Sequence, residues 1–94
     1  MRIIGIAKLD DFARKHVRAR KSLANWETVV RAGAWKNSDE MKRTFNSVDY
    51  DDPRTIFDAG GNKVRLIALV DFKKQLVQIT GLMTHAEYDK GKWK

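Results

Sequence analysis

The stretch Thr55-Ile56-Phe57-Asp58-Ala59-Gly60-Gly61-Asn62-Lys63-Val64-Arg65-Leu66-Ile67-Ala68-Leu69-Val70 decides the fold. Two apolar, β-branched runs flank a pair of glycines, which supply the positive φ that a tight hairpin needs. The expected arms are residues 55–58 and 63–70, joined by a turn at 59–62. A second turn at 71–75 leads to a third strand at 76–83, so this half reads as a β-meander. Along the middle strand Val64, Leu66, Ala68 and Val70 share one face, while Lys63, Arg65, Ile67 and Leu69 share the other. The first face is core throughout. The second is basic at its start and apolar at its end.

Upstream, Arg2-Ile3-Ile4-Gly5-Ile6-Ala7 is short and β-branched without clean alternation, the pattern of a strand covered on both faces. Over 8–18, Leu9, Phe12, Ala13 and His16 recur at helical spacing. Arg14, Arg18 and Lys21 step by four and three along another side of the same cylinder, a basic stripe that could meet phosphate or stand as a solvated face. Ser22 is placed to cap a second helix with Leu23, Trp26, Val30 and Gly33 on one stripe, and the two helices are expected to form a hairpin. Ser38, followed by Asp39 and Glu40 in the first turn, opens a short third helix with Met41 and Phe45 as its apolar edge. Residues 46–54 hold Asp49, Asp51, Asp52 and the only proline, Pro53, and read as a loop. With Asp58 these acids lack the alternating spacing and glycine of a calcium loop, and no histidine lies nearby. Neither a metal nor another cofactor is expected.

The 94 residues are 43% hydrophobic and 33% charged, which suits one globular domain over 1–94 rather than a disordered chain. Absence of cysteine excludes a disulfide framework and a thiolate metal site and fits a reducing cytoplasm. The longest apolar run, 66–70, is too short to span a bilayer, and no signal-peptide pattern opens the chain. A soluble, cytoplasmic protein with no membrane association is expected. Lys and Arg number 19 against 12 Asp and Glu, leaving a formal charge of +7 and a pI near 9.9. A polyanionic partner follows. Charge does not separate an enzyme from a binder.

The remaining chemistry lies in Met83-Thr84-His85-Ala86-Glu87-Tyr88-Asp89-Lys90. Thr84 and Glu87 fit a capping box opening a short helix as the strand ends. On it His85 and Tyr88, three apart, are neighbours, with Lys90 and Lys92 close behind. RNA cleavage without a metal needs one group to take the 2′-hydroxyl proton, another to protonate the leaving 5′-oxygen, and cations for the charge that develops between. Histidine titrates near ~6.5 and suits either proton task, tyrosine can donate, and Arg or Lys stabilises charge. Arg65, at the mouth of a buried sheet face, offers fixed paired donors to phosphate. The plainer readings are an arginine paired with Asp58 or Glu87 and a histidine that merely follows a helix cap.

The run Ile56 through Ala68, with its Gly61-Asn62 turn and Arg65-Leu66-Ile67 strand, and the closing Thr84-His85-x-Glu87-Tyr88-Asp89 closely resemble the family of HigB-type toxins of bacterial toxin–antitoxin pairs. The likeness reaches Trp26, Trp35 and Ser38-x-x-Met41-x-x-x-Phe45. The resemblance implies an α+β, RelE-like fold: two to three N-terminal helices packed on a small twisted antiparallel β-sheet, with a short C-terminal helix. It also implies a metal-independent endoribonuclease, an mRNA interferase cutting mRNA in the ribosomal decoding site. The implied partners are a HigA-like helix-turn-helix antitoxin, the ribosome and its mRNA, and operator DNA reached through the antitoxin complex. Carried over by position, Arg65 holds the scissile phosphate, and His85 and Tyr88 serve as acid, base or orienting groups. Asn62, Lys63, Lys90 and Lys92 are RNA-contact candidates, as are Arg14, Arg18 and Lys21 by charge.

Two other classes account for the charge. A non-catalytic nucleic-acid-binding module is one, although strands holding only Phe57 and Phe72 give it no aromatic stacking platform. An interaction protein with an acidic partner is the other. Neither explains why His, Tyr, Lys and Arg gather at one sheet mouth.

Overall fold

The computed structural model describes residues 1–59 and 63–93. The expected glycine turn and the candidate RNA contact Asn62 lie outside the described residues. The elements run β1 (Arg2–Ile4), α1 (Ile6–Lys15), a 3-10 turn (Val17–Ala19), α2 (Arg20–Ala32), α3 (Ser38–Thr44), β2 (Asp49–Asp51), β3 (Arg54–Ala59), β4 (Val64–Asp71), β5 (Leu76–Thr84) and α4 (His85–Asp89). The fold is α+β, with the helices of the first half followed by the meander β3-β4-β5.

One sheet joins five strands in the order β1-β5-β4-β3-β2. Its pairs are antiparallel, as expected of the meander, except β1 with β5, which run parallel and make the sheet mixed at that edge. The helical crossover α1–α2 separates β1 from the meander, which frees the first strand to join β5 in either sense. β1 occupies the sheet edge, and its Ile4 is 48% exposed. Its two faces are therefore not both covered, as its apolar run had suggested.

Between the helices and one sheet face lies the core, which includes Leu23, Trp26, Val30, Met41, Phe57, Leu66, Val77 and Ile79. Phe57 anchors it, meeting Trp26 edge-on at 5.4 Å and Phe45 edge-on at 5.1 Å between ring centroids. Each such side chain contributes about 1.5–3 kcal/mol by leaving water. Val64, Leu66 and Ala68 face this core as their alternation required.

Several boundaries differ from the expected ones, among them the opening strand, which stops at Ile4 and leaves Ile6 and Ala7 to α1. The first helix ends at Lys15, and the 3-10 turn follows, so Arg18 and Lys21 do not share a cylinder with Arg14. Ser22 falls inside the first turn of α2, whose N-cap is Ala19 with no side-chain bond. Asn37, not Ser38, caps α3: its side chain accepts from the Glu40 N–H at 2.9 Å. Asp49–Asp51, read as loop, pairs with Arg54–Ile56 as an edge strand. Short acidic edge strands are among the devices that discourage further pairing, and local composition alone does not distinguish them from loops. The capping box at Thr84 forms as expected, with both reciprocal bonds to Glu87 present.

Candidate active site

On the sheet face away from α1 and α2, β3 presents Arg54, Ile56 and Asp58, and β4 presents Arg65 and Ile67, by simple strand alternation. Antiparallel pairing sets Asp58 opposite Arg65, whereas the turn limits expected from glycine placement would have set it opposite Lys63. Register thus brings a carboxylate to the arginine: Arg65 Nε lies 3.0 Å from Asp58 Oδ1, with the side chains 10% and 27% exposed. Glu87 is committed to the helix cap, so of the two partners considered for Arg65, Asp58 is the one that pairs. A largely buried guanidinium held in one orientation is set up to present its planar fork.

The cap on α4 aims Tyr88 at the same spot. The Arg65 guanidinium carbon lies 5.5 Å from the centre of the Tyr88 ring. Together with Lys42, Asn46, Asp49 and Asp58 these two line a cleft of about 330 Å³. Burial, then the Asp49 carboxylate, pushes the Tyr88 phenol above its ordinary value of 10.0, against the lowering effect of Arg65. A phenol held protonated in this way can act as a proton donor.

His85 is placed differently. Its backbone N–H donates to the Lys63 carbonyl at 2.9 Å, tying the start of α4 to that of β4. Its ring turns to Asp89, with Nδ1 3.5 Å from Oδ1, and Nδ1 is shielded from solvent without a hydrogen-bond partner among the described residues. His85 does not line the Arg65–Tyr88 cleft.

The basic residues divide. Arg18 and Lys21 line a groove that Asp58 also lines, and Arg18 also shares a hollow with Lys63 and Thr84. Lys63, Lys90 and Lys92 are exposed close to the site in sequence. Arg14 pairs with Asp11 and lines a separate hollow with Arg20. Residues that sequence reasoning did not single out also converge here. Trp93 stacks on Tyr88 at 4.8 Å with 9° between planes, and its Nε1 donates to the Tyr88 carbonyl at 2.8 Å. Arg54 stands 5.6 Å from the Trp93 ring centre. An aromatic set among lysines after a capped helix was the available signal. No group of three His, Cys, Asp or Glu that could hold a metal occurs among the described residues, and no described helix is long and apolar enough to cross a membrane.

A buried arginine paired across two strands and faced by a tyrosine from a terminal helix is an arrangement that can hold a phosphate and supply a proton. Comparison with known proteins specifies it further. The model of the HigB toxin family, described as the RelE-like toxic component of a toxin–antitoxin system, matches residues 19–91. The chain belongs to the HigB toxin family. The mRNA interferase toxin HigB of Escherichia coli strain K12 is 34% identical over 92 residues, spanning 95% of this chain and 88% of that one. The mRNA interferase HigB of Shigella flexneri matches to the same extent, and that of Escherichia coli O6:H1 is 30% identical over 93 residues, spanning 96% and 90%. As a HigB-family toxin the chain has an antitoxin for a partner. The family match runs from α2 to α4 and takes in Asp58, Arg65 and Tyr88, while Trp93 lies just beyond it.

Proposed function

We propose that this HigB-family chain is an endoribonuclease, an mRNA interferase that cleaves mRNA on the ribosome without a metal. The observation that carries the reading is the Asp58–Arg65–Tyr88 constellation: a fixed guanidinium and a protonated phenol facing one cleft. In the reaction, the 2′-oxygen attacks phosphorus while its proton passes to a base, the P–O5′ bond breaks, and the leaving 5′-oxygen takes a proton. The products are a 2′,3′-cyclic phosphate and a 5′-hydroxyl. Arg65 holds the phosphate and stabilises the charge of the phosphorane. Tyr88 donates, and His85, one turn away on α4, moves the second proton once substrate engages. Lys63, Lys90, Lys92, Arg18 and Lys21 draw in the polyanion, with Asn62 and Arg14 as further RNA contacts. The partners that fit are a helix-turn-helix antitoxin of HigA type and, through that complex, operator DNA; the working compartment is the cytoplasm.

The test is cleavage of a defined mRNA by purified protein, free and in programmed ribosomes, with product ends analysed. Ribosome-bound mRNA should yield cyclic phosphate ends, and chelation by EDTA against matched magnesium controls should leave the rate unchanged. Arg65→Ala should remain folded and lose cleavage. A folded Arg65→Ala of native activity removes Arg65 from the mechanism. Rescue of chelated protein specifically by manganese or zinc overturns the metal-free reading.

A further inference from the structure

Beyond the phosphate cleft, the same sheet face carries an apolar groove of about 510 Å³, lined among others by Ile67, Leu69, Gly81, Met83, Arg54 and Trp93. We propose that this groove is a nucleobase subsite, receiving a base of the RNA strand whose scissile phosphate sits at Arg65; the inference rests on the ribonuclease reading above.

Three observations carry it. The first is continuity. Trp93, which walls the groove, is stacked on Tyr88, which faces Arg65. Ile67 and Leu69 lie two and four residues beyond Arg65 on one strand, about 7 and 13 Å along it, within reach of one or two nucleotides of extended single strand. The second is exposed apolar surface beside charge. Leu69 is 37% exposed, and Arg54 stands at the lip, where a guanidinium can meet the next phosphate. A base needs just such a combination, a flat apolar surface with a cation beside it.

The third observation is Gly81. It lies opposite Ile67 in the β4–β5 ladder, so a side chain there would share the face of Ile67 and enter the groove. Gly81 stands beside the irregularity at which the β4–β5 register shifts, where Ile67 faces Gly81 and Ala68 faces Ile79, but that irregularity asks no glycine-only conformation of it. Its φ is not in the positive range, and an added Cβ would meet only Met83 Cε at 3.6 Å, an ordinary contact. Strand-interior glycines are found at bulges and where another molecule approaches closely, and Gly81 stands both at a register break and in the lining of the groove. The missing side chain leaves the groove floor open.

The experiment fills the floor. Gly81→Val keeps a strand-compatible residue away from the reacting groups, and circular dichroism checks its fold. Single-turnover cleavage is then measured as a function of enzyme concentration, on free or ribosome-bound mRNA, whichever the native chain cuts. The substrates carry either all their bases or one abasic nucleotide at successive positions beside the cut. At one position, removing the base should raise the native half-saturating concentration by about tenfold, the loss expected for one stacked base. Gly81→Val should show the same rise on intact mRNA and no further loss at that abasic position, because both changes remove one contact. Leu69→Ser, at an exposed position, should reproduce part of the effect if Gly81→Val does not fold.

If folded variants keep native affinity and native dependence on every base, the groove holds no base and the proposal falls. Native cleavage combined with lost neutralisation by the antitoxin would assign the groove to the antitoxin and overturn it as well. Should the native chain leave all RNA uncut, the ribonuclease reading itself fails, a result distinct from the other two.

Discussion

Tyr88 and His85 sit one helical turn apart, yet the fold treats them unequally. Tyr88 is held from one side by Trp93 and faces Arg65, while His85 leans on Asp89. Tyr88→Phe preserves the stack and removes only the O–H, so it should lower single-turnover cleavage by about 10²–10⁴-fold, the range of general acid–base catalysis, with antitoxin binding intact. His85→Ala should lower the rate within the same range, and the double variant should lose much less than the product if both act on one proton path. The raised phenol value has a definite sign: the protonated donor persists beyond pH 10.0, so activity should not fall there through Tyr88. A pH–rate profile that loses an alkaline limb centred below that value in Tyr88→Phe would contradict the assignment. Native rates in His85→Ala would transfer the second proton to a cleft carboxylate such as Asp49. The residue types were legible in the sequence because few groups move protons near neutrality. Their inequality was not, since it depends on where α4 meets β4 and β5.

At the scale of elements, α4 has only five residues and no buried residue of its own. Helices this short are not stable by propensity, so its geometry depends on the capping box and on the Tyr88–Trp93 stack. Thr84→Ala removes the cap bond and should cost about 1 kcal/mol of stability, with Tm lowered accordingly. It should also reduce cleavage by misplacing Tyr88. Glu87 is held below its ordinary value first by the backbone N–H of Thr84, then by the Thr84 hydroxyl. A carboxylate favoured in the folded state stabilises it above the unfolded value of 4.5 and ceases to do so as pH falls through the lower folded value. Acid titration of Tm should therefore show a limb below about pH 4.5 that shrinks in Glu87→Gln. An unchanged limb would mean that the box contributes nothing to folding. This element was fully legible, because a capping box is local chemistry. The N-caps of α2 and α3 were not: at α2 the 3-10 turn displaced the helix start from Ser22, and at α3 Asn37 stood one residue earlier with an equally good acceptor.

For the whole molecule, an excess of seven positive charges draws in polyanions, but tertiary structure sorts which charges face the site. Arg18 and Lys21 line a groove shared with Asp58, whereas Arg14 is paired with Asp11 elsewhere. Reversing Arg18 and Lys21 together should weaken binding to ribosome or RNA and flatten its salt dependence by about two phosphate equivalents, with the rate at saturation hardly changed. Arg14→Glu should have a much smaller effect. Equal losses from both variants, measured by association at several salt concentrations, would show that only net charge matters.

By itself the sequence determined the strand meander, the face of β4 that enters the core, the capped terminal helix and the chemical types gathered near it. These follow from period-two alternation and from contacts within a few residues, which need no knowledge of partners. Tertiary structure alone decided the rest. β1 joined the sheet in parallel, and an acidic segment became an edge strand, because pairing between distant strands is a matter of geometry across the chain. Register placed Arg65 rather than Lys63 opposite Asp58, and a two-residue change in a hairpin leaves every side chain on its face while exchanging every partner. Trp93 reached Tyr88, and through it the arginine, only when the end of the chain folded back beside β3.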